Sequence, residues 1–185
     1  YTYGDCTMTS VLKVSEIQDP TNGNSALTVD SSGRVIKPNY VGFSVRGTQA
    51  GEAYTTISSF GGSGTVIEWG SGTGNFTDFN SGHYVPATGI FTAPVAGHYL
   101  FTMNMGLARN DQNQDTYPLL YKNSTQWQYG YVYHDANMTI HFAVSLNIIM
   151  ELAVNDAIKI TIHGNNSSEF YGGYLTNNFS GFLLG

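Results

Sequence analysis

An all-β sandwich or barrel is predicted for this 185-residue chain by three observations. Short stretches of period-two alternation follow one another, helical apolar periodicity is almost absent, and clusters of Gly, Asn and Pro punctuate the stretches. The composition agrees: 14% of the residues are aromatic and 22 are glycine, which suits strands joined by tight turns.

Residues 1–40 differ from the rest. Positions 11–17 alternate weakly, Asp19-Pro20-Thr21-Asn22-Gly23-Asn24 stacks turn formers, and 26–30 and 34–36 flank the turn Ser31-Ser32-Gly33. Two or three short strands fit this segment, with too little apolar mass to fold alone. It is expected to be a leader that needs a partner surface, and Lys37-Pro38 ends it. Residues 41–185 read as one head domain with ten strands, at 41–46, 54–60, 65–69, 89–92, 97–107, 117–122, 126–134, 138–150, 157–163 and 175–184. Residues 143–150 could pass for a helix, yet their β-branched content and their neighbours favour strand.

Charge excludes several functions. Only 11% of the residues are charged, against about 25% in ordinary soluble domains, so Asn, Ser, Thr, Gln, Gly and Tyr must wet the surface. The 7 Lys and Arg are scattered under a formal net charge of −6, and the basic stripe of a nucleic-acid binder is missing. No run approaches the ~18 apolar residues of a membrane helix. Residues 1–10 lack the basic-then-apolar layout of a signal peptide. Cys6 is the single cysteine, so no internal disulfide exists; a bridge to another chain and a tolerated thiol are both open readings.

The string from Phe79 to Phe101 is more specific. Thr88-Gly89-Ile90-Phe91-Thr92-Ala93-Pro94 followed by Gly97-His98-Tyr99-Leu100-Phe101 resembles the signature of the globular head of complement C1q and its relatives. Tyr171-Gly172-Gly173 and Phe179-Ser180-Gly181-Phe182-Leu183-Leu184 are similar to the closing strands of that family. Asn155-Asp156 stands where the family usually has Gly-Asp, and Met103 where it prefers an aromatic. The resemblance covers about 40–185. It implies a ten-stranded jelly roll related to tumour necrosis factor that assembles as a homotrimer, with Phe91, Gly97, Tyr99, Phe101, Phe179, Gly181 and Phe182 as its core and trimer motif. Elementary geometry is consistent with this: Pro94 suits a turn, Gly89 and Gly97 stand where turns are needed, and Tyr99, Phe101 and Met103 share one strand face.

The leader carries a second resemblance. Residues 8–19 and 25–35 are similar to the N-termini of structural proteins from marine tailed phages, which implies that 1–40 attaches to neighbouring virion proteins or begins a fibre shaft.

Catalytic constellations are absent: there is no Gly-x-Ser-x-Gly elbow, no His-Glu-x-x-His, no P-loop and no Cys-x-x-Cys. His83, His98, His134, His141 and His163 lack metal-ligand spacing. The carboxylates fall mostly in turns, where solvation or bonding to backbone is their usual role. Calcium enters as a candidate through Asp111 and Asp115, which end a loop rich in hard oxygen donors. Trp127, Tyr129, Tyr131 and Tyr133 occupy every second position, so their rings are expected on one sheet face. That ladder would serve either as a stacking surface for sugar rings or a receptor, or as packing in the core or between subunits. Six Asn-x-Ser/Thr triplets begin at Asn75, Asn123, Asn137, Asn165, Asn166 and Asn178.

The expectation is a non-enzymatic, trimeric virion structural protein of a marine tailed phage: a fibre, decoration or receptor-binding knob on the particle surface. Its partners would be its own copies, neighbouring virion proteins, and a host cell-surface glycan or receptor. The alternative is a secreted animal recognition protein of the complement-head type, a lectin-like immune or matrix module. Residues 61–64, 70–74 and 109–115 are the loops expected to face outward.

Overall fold

The computed structural model describes residues 13–21, 23–37, 39–48, 54–57, 64–71, 76–108, 115–130, 132–133, 142–164, 168–171, 173 and 175–184. The chain divides into two compact units, Tyr1–Tyr40 and Val41–Gly185. No helix is long and apolar enough among these residues to cross a membrane.

The first unit is an antiparallel meander of β1 (Glu16–Gln18), β2 (Ser25–Val29) and β3 (Val35–Ile36). Its second turn is closed by Asp30, whose carboxylate accepts the backbone N–H groups of Ser32 and Arg34, each at 2.9 Å, and pairs with Arg34 Nε at 2.7 Å. The bonds from Arg34 hold the Asp30 carboxyl below the usual carboxylate range. Ile17, Val29, Val35 and Ile36 are all exposed, so hydrogen bonds and turns define this unit more than burial does.

The second unit is a two-sheet sandwich of fourteen described strand segments. They are β4 (Gly42–Arg46), β5 (Tyr54–Ile57), β6 (Thr65–Val66), β7 (Phe76–Asn80), β8 (Tyr84–Val85), β9 (Ile90–Thr92) and β10 (Gly97–Ala108), then β11 (Asp115–Lys122), β12 (Thr125–Tyr129), β13 (Val132–Tyr133), β14 (Phe142–Leu152), β15 (Ala157–Gly164), β16 (Ser168–Tyr171) and β17 (Asn178–Leu183). In the first sheet β10 is the spine. It pairs along one edge with β14, from Gly97↔Leu152 to Leu107↔Phe142, and along the other with β17 and then β16. Beyond β17 lie β4 and then β7, while β5 pairs with β16. The second sheet runs β12-β11-β15-β9-β8, with β13 also on β11 and β6 also on β15. Every ladder is antiparallel, as a jelly roll requires.

Alternation sends one side of each sheet into a common core. Phe43, Tyr99, Phe101, Met103 and Phe179 enter from the first sheet, and Phe91, Leu120, Ile158, Ile160 and Ile162 from the second. Phe43 stacks on Tyr84 with centroids 4.4 Å apart and meets Phe179 edge-on at 5.0 Å, and Phe91 meets Phe101 edge-on at 5.6 Å. A Cβ at Gly181 would come within 2.5 Å of the Phe43 ring and 2.6 Å of the Phe101 ring, so this close approach needs glycine.

The strand pattern differs from the sequence expectation in particular places. β7, β8 and β16 were not anticipated, because the polar, glycine-rich stretch before Phe76 reads as turn, and β8 spans two residues. The expected strand at 65–69 is assigned only over Thr65–Val66; Ile67 still donates its N–H to Ile160 O at 3.0 Å, and Ile67 and Trp69 are fully buried in the core. Expected 126–134 splits into β12 and β13 around Gly130, whose N–H donates to Pro118 O at 3.1 Å. A Cβ at Gly130 would strike Val144. Asn155 takes φ 68°, the left-handed conformation that the family's glycine adopts without strain and that Asn tolerates best among other residues.

Candidate functional site

Register places two opposite surfaces on the second sheet. Tyr117↔His163, Leu119↔Thr161 and Tyr121↔Lys159 are cross-strand pairs on the side away from the core, while Leu120 and Ile160 alternate inward. On the outer side the His163 ring stacks on Tyr117 at 5.5 Å and 6°, and on Tyr121 at 6.4 Å and 16°. Its Nε2 lies 2.9 Å from Thr161 Oγ1. Burial pushes the His163 pKa down, so the ring is neutral at neutral pH.

β12 extends this row. Tyr129 lies 5.9 Å from Tyr117, and Gln126 Nε2 donates to the Tyr121 hydroxyl at 3.0 Å. Between them the ladder shifts: Tyr129 faces Leu119 and Gln128 faces Leu120, but Gln126 faces Tyr121, which leaves Trp127 as an inserted residue. The Trp127 ring stands 5.8 Å from the Lys122 ammonium, on a residue that alternates to the other side from Tyr121. The bulge places Trp127 between the ladder pairs of Gln128 and Gln126 and interrupts the regular pairing that the aromatic ladder was expected to follow. Trp127 is 53% and Tyr129 60% exposed. Tyr131 lies outside the described residues, and Tyr133 is described only by its backbone, opposite Asp115.

The tip of the β11–β12 hairpin forms the second part of the site. Asn123, with φ 56°, turns the chain. Its Nδ2 donates to Asp156 Oδ1 at 2.8 Å, its Oδ1 accepts Ala157 N–H at 2.9 Å, and its own N–H donates to Ala157 O at 2.7 Å. Asp156 Oδ2 accepts Ala153 N–H at 2.8 Å and pairs with Lys122 Nζ at 2.9 Å, and the same ammonium donates to Glu151 O at 2.9 Å. The Asn123 bond first, and then Lys122, hold the Asp156 carboxyl down at about 2.

Beside the tip is an open cleft of about 310 Å³, lined by Ile90, Tyr121, Asn123, Ser124, Ala157 and Lys159. The Lys159 ammonium sits 5.3 Å from the Tyr121 ring centre. Sequence reasoning missed Asn123, Asp156 and Lys159 as a group, because the turns and strands that bring them together are remote along the chain. The only local signal was Asn155-Asp156 at a turn.

The remaining sequence-predicted residues are placed as follows. Phe91, Tyr99, Phe101 and Phe179 are buried, Gly97 opens β10 opposite Leu152, and Phe182 is partly buried against Gly42. Gly181 lies beneath the Phe43 and Phe101 rings. Asp111 and Cys6 lie outside the described residues, as do Asn75, Asn137, Asn165 and Asn166, and Asp115 is described only as the first residue of β11. Among the described residues, no group of three or more His, Cys, Asp or Glu side chains could hold a metal ion.

Comparison with known proteins follows this geometry. A family model described as "C1q domain" matches residues 71–184. The collagen alpha-1(X) chain of Mus musculus is 31% identical over 103 residues, which is 55% of this chain and only 14% of the length of that relative. The globular domain of zebrafish complement 1qA protein superposes with a TM-score of 0.52 at 16% identity, covering 79% of this chain and 98% of that one. Eiger TNF from S. frugiperda gives 0.55 at 8% identity, covering 80% and 94%. At these identities the two structures show a shared fold, the two-sheet jelly roll, and nothing more.

Proposed function

We propose that this chain, which belongs to the C1q domain family, is a non-enzymatic recognition module that works outside the cell as a homotrimer and binds a cell-surface glycan or receptor. The observation that carries the reading is the exposure of Trp127 and Tyr129, at 53% and 60%, on β12, the strand at one end of the second sheet. Large rings left in water on a strand end combine apolar area with a polar tip, the chemistry of sugar stacking and of interface anchors.

The likeness to C1q heads and to a collagen chain supports the extracellular reading over the virion one. A glycan array probed with the full chain and with Trp127→Ala and Tyr129→Ala tests recognition. Binding that both substitutions weaken is expected, and an array without any binder would sink the reading. Native mass measurement tests assembly, with a stable monomer as the contrary result. N-linked glycan at Asn75 on native material would favour secretion, whereas co-purification with phage particles would favour the virion.

A further inference from the structure

We propose that the cleft at the β11–β12 hairpin tip is a binding site for a carboxylate-bearing sugar ring, of the uronic-acid type; this rests on the glycan-recognition reading above and assigns it a subsite and a charge. Four observations lead there. The cleft of about 310 Å³ is at the lower end of ligand-site sizes and suits one monosaccharide rather than an extended chain. Its apolar lining, Ile90, Ala157 and the Tyr121 ring, offers a surface for the carbon face of a pyranose.

The charge balance then selects an anion. Asp156, next in sequence to the cleft residue Ala157, is paired with Lys122 and bonded to Asn123. Lys159 forms no ion pair among the described residues; its ammonium is held over Tyr121 at the cleft wall. A single ammonium suits one carboxylate, while a phosphate group calls for several converging donors. Ser124 also lines the cleft, and its hydroxyl can serve as a donor and an acceptor for sugar hydroxyls.

Rigidity supplies the fourth argument. Asn123 makes three hydrogen bonds to the neighbouring β15 start and its turn, so the hairpin tip is fixed before any ligand arrives. One donor and one acceptor of its side-chain amide are engaged in these bonds, and Lys159 supplies the charge that reads the ligand.

The test is a titration of the full chain with sodium glucuronate, glucose and sodium acetate, followed by amide and side-chain chemical shifts. Glucuronate should perturb Lys159, Ser124 and Ile90 and bind about tenfold more tightly than glucose, as one charge-assisted bond implies, and more tightly than acetate, which lacks the ring. Lys159→Gln should remove that advantage, Lys159→Arg should retain most of it, and Lys13→Gln, which makes the same charge change in the leader, should leave it intact. Equal binding of glucuronate and glucose, shifts that map elsewhere, or undiminished binding by a folded Lys159→Gln chain would overturn the proposal. If the glycan array still shows binders that depend on Trp127 and Tyr129, only the cleft assignment falls. If the array shows none while glucuronate still titrates the cleft, the broader reading falls and the cleft stands.

Discussion

Asn123 and Asp156 meet side chain to side chain at 2.8 Å, joining two turns that lie 33 residues apart. Around this bond gather Lys122, Ala153 and Ala157, so the hairpin tip and the turn between β14 and β15 behave as one hydrogen-bonded unit.

Breaking that unit has a measurable cost. Asn123→Ala removes two side-chain bonds and puts a less tolerant residue at φ 56°, and should lose about 2 kcal/mol in urea unfolding. The acid limb is also set here. The Asp156 carboxyl sits at about 2 in the folded chain against an ordinary 3.8, so its contribution is full above 3.8 and disappears as pH falls toward 2. Asp156→Asn should flatten the stability profile in that window, as followed by urea midpoints at successive pH values.

Gly181 is a second test. Gly181→Ala would drive a methyl into the Phe43 and Phe101 rings, and overpacking of this kind costs about 1–3 kcal/mol. A lowered thermal midpoint with an unchanged fold is expected; an unchanged midpoint would show that the rings move aside freely.

Asn155 separates backbone from side-chain effects. At φ 68°, Asn155→Ala should cost about 1–2 kcal/mol, and Asn155→Gly should be close to neutral, since glycine reaches this conformation without steric penalty. Chemical denaturation of the pair measures the difference directly.

Trp127→Ala and Tyr129→Ala should each leave stability within about 0.5–1 kcal/mol, because both rings are largely in water. Each substitution also removes one ring contact, Trp127 with Lys122 and Tyr129 with Tyr117, so the two costs should be similar. Near-native unfolding midpoints alongside reduced glycan retention would separate a binding role from a folding role.

The sequence reveals what depends on local pattern. Tyr99, Phe101 and Met103 at every second position announce a buried strand face, and Pro94 announces the turn before it. Trp127 shows the limit: period two predicts unbroken pairing through the aromatic ladder, but an inserted residue between two ladder pairs has no local signature. β7 escaped notice for a related reason. Phe76-Thr77-Asp78-Phe79-Asn80 is mostly exposed and is a strand because β4 supplies its partner, which no local propensity encodes. The Asn123–Asp156 group and Lys159 assemble only when the chain closes, so their chemistry was invisible until then.

The position of β17 governs how synthesis and folding can be coupled. This last strand fills the slot between β10 and β4, with Phe182 opposite both Leu100 and Gly42. A nascent chain that has released β4 and β10 still has an open gap in its first sheet until residue 183 leaves the ribosome. The first sheet therefore closes only once β17 has emerged, and its unpaired edges must be shielded in the meantime. A ribosome stalled a few residues short would present an incomplete sheet, whereas completing β17 seals two ladders in one step.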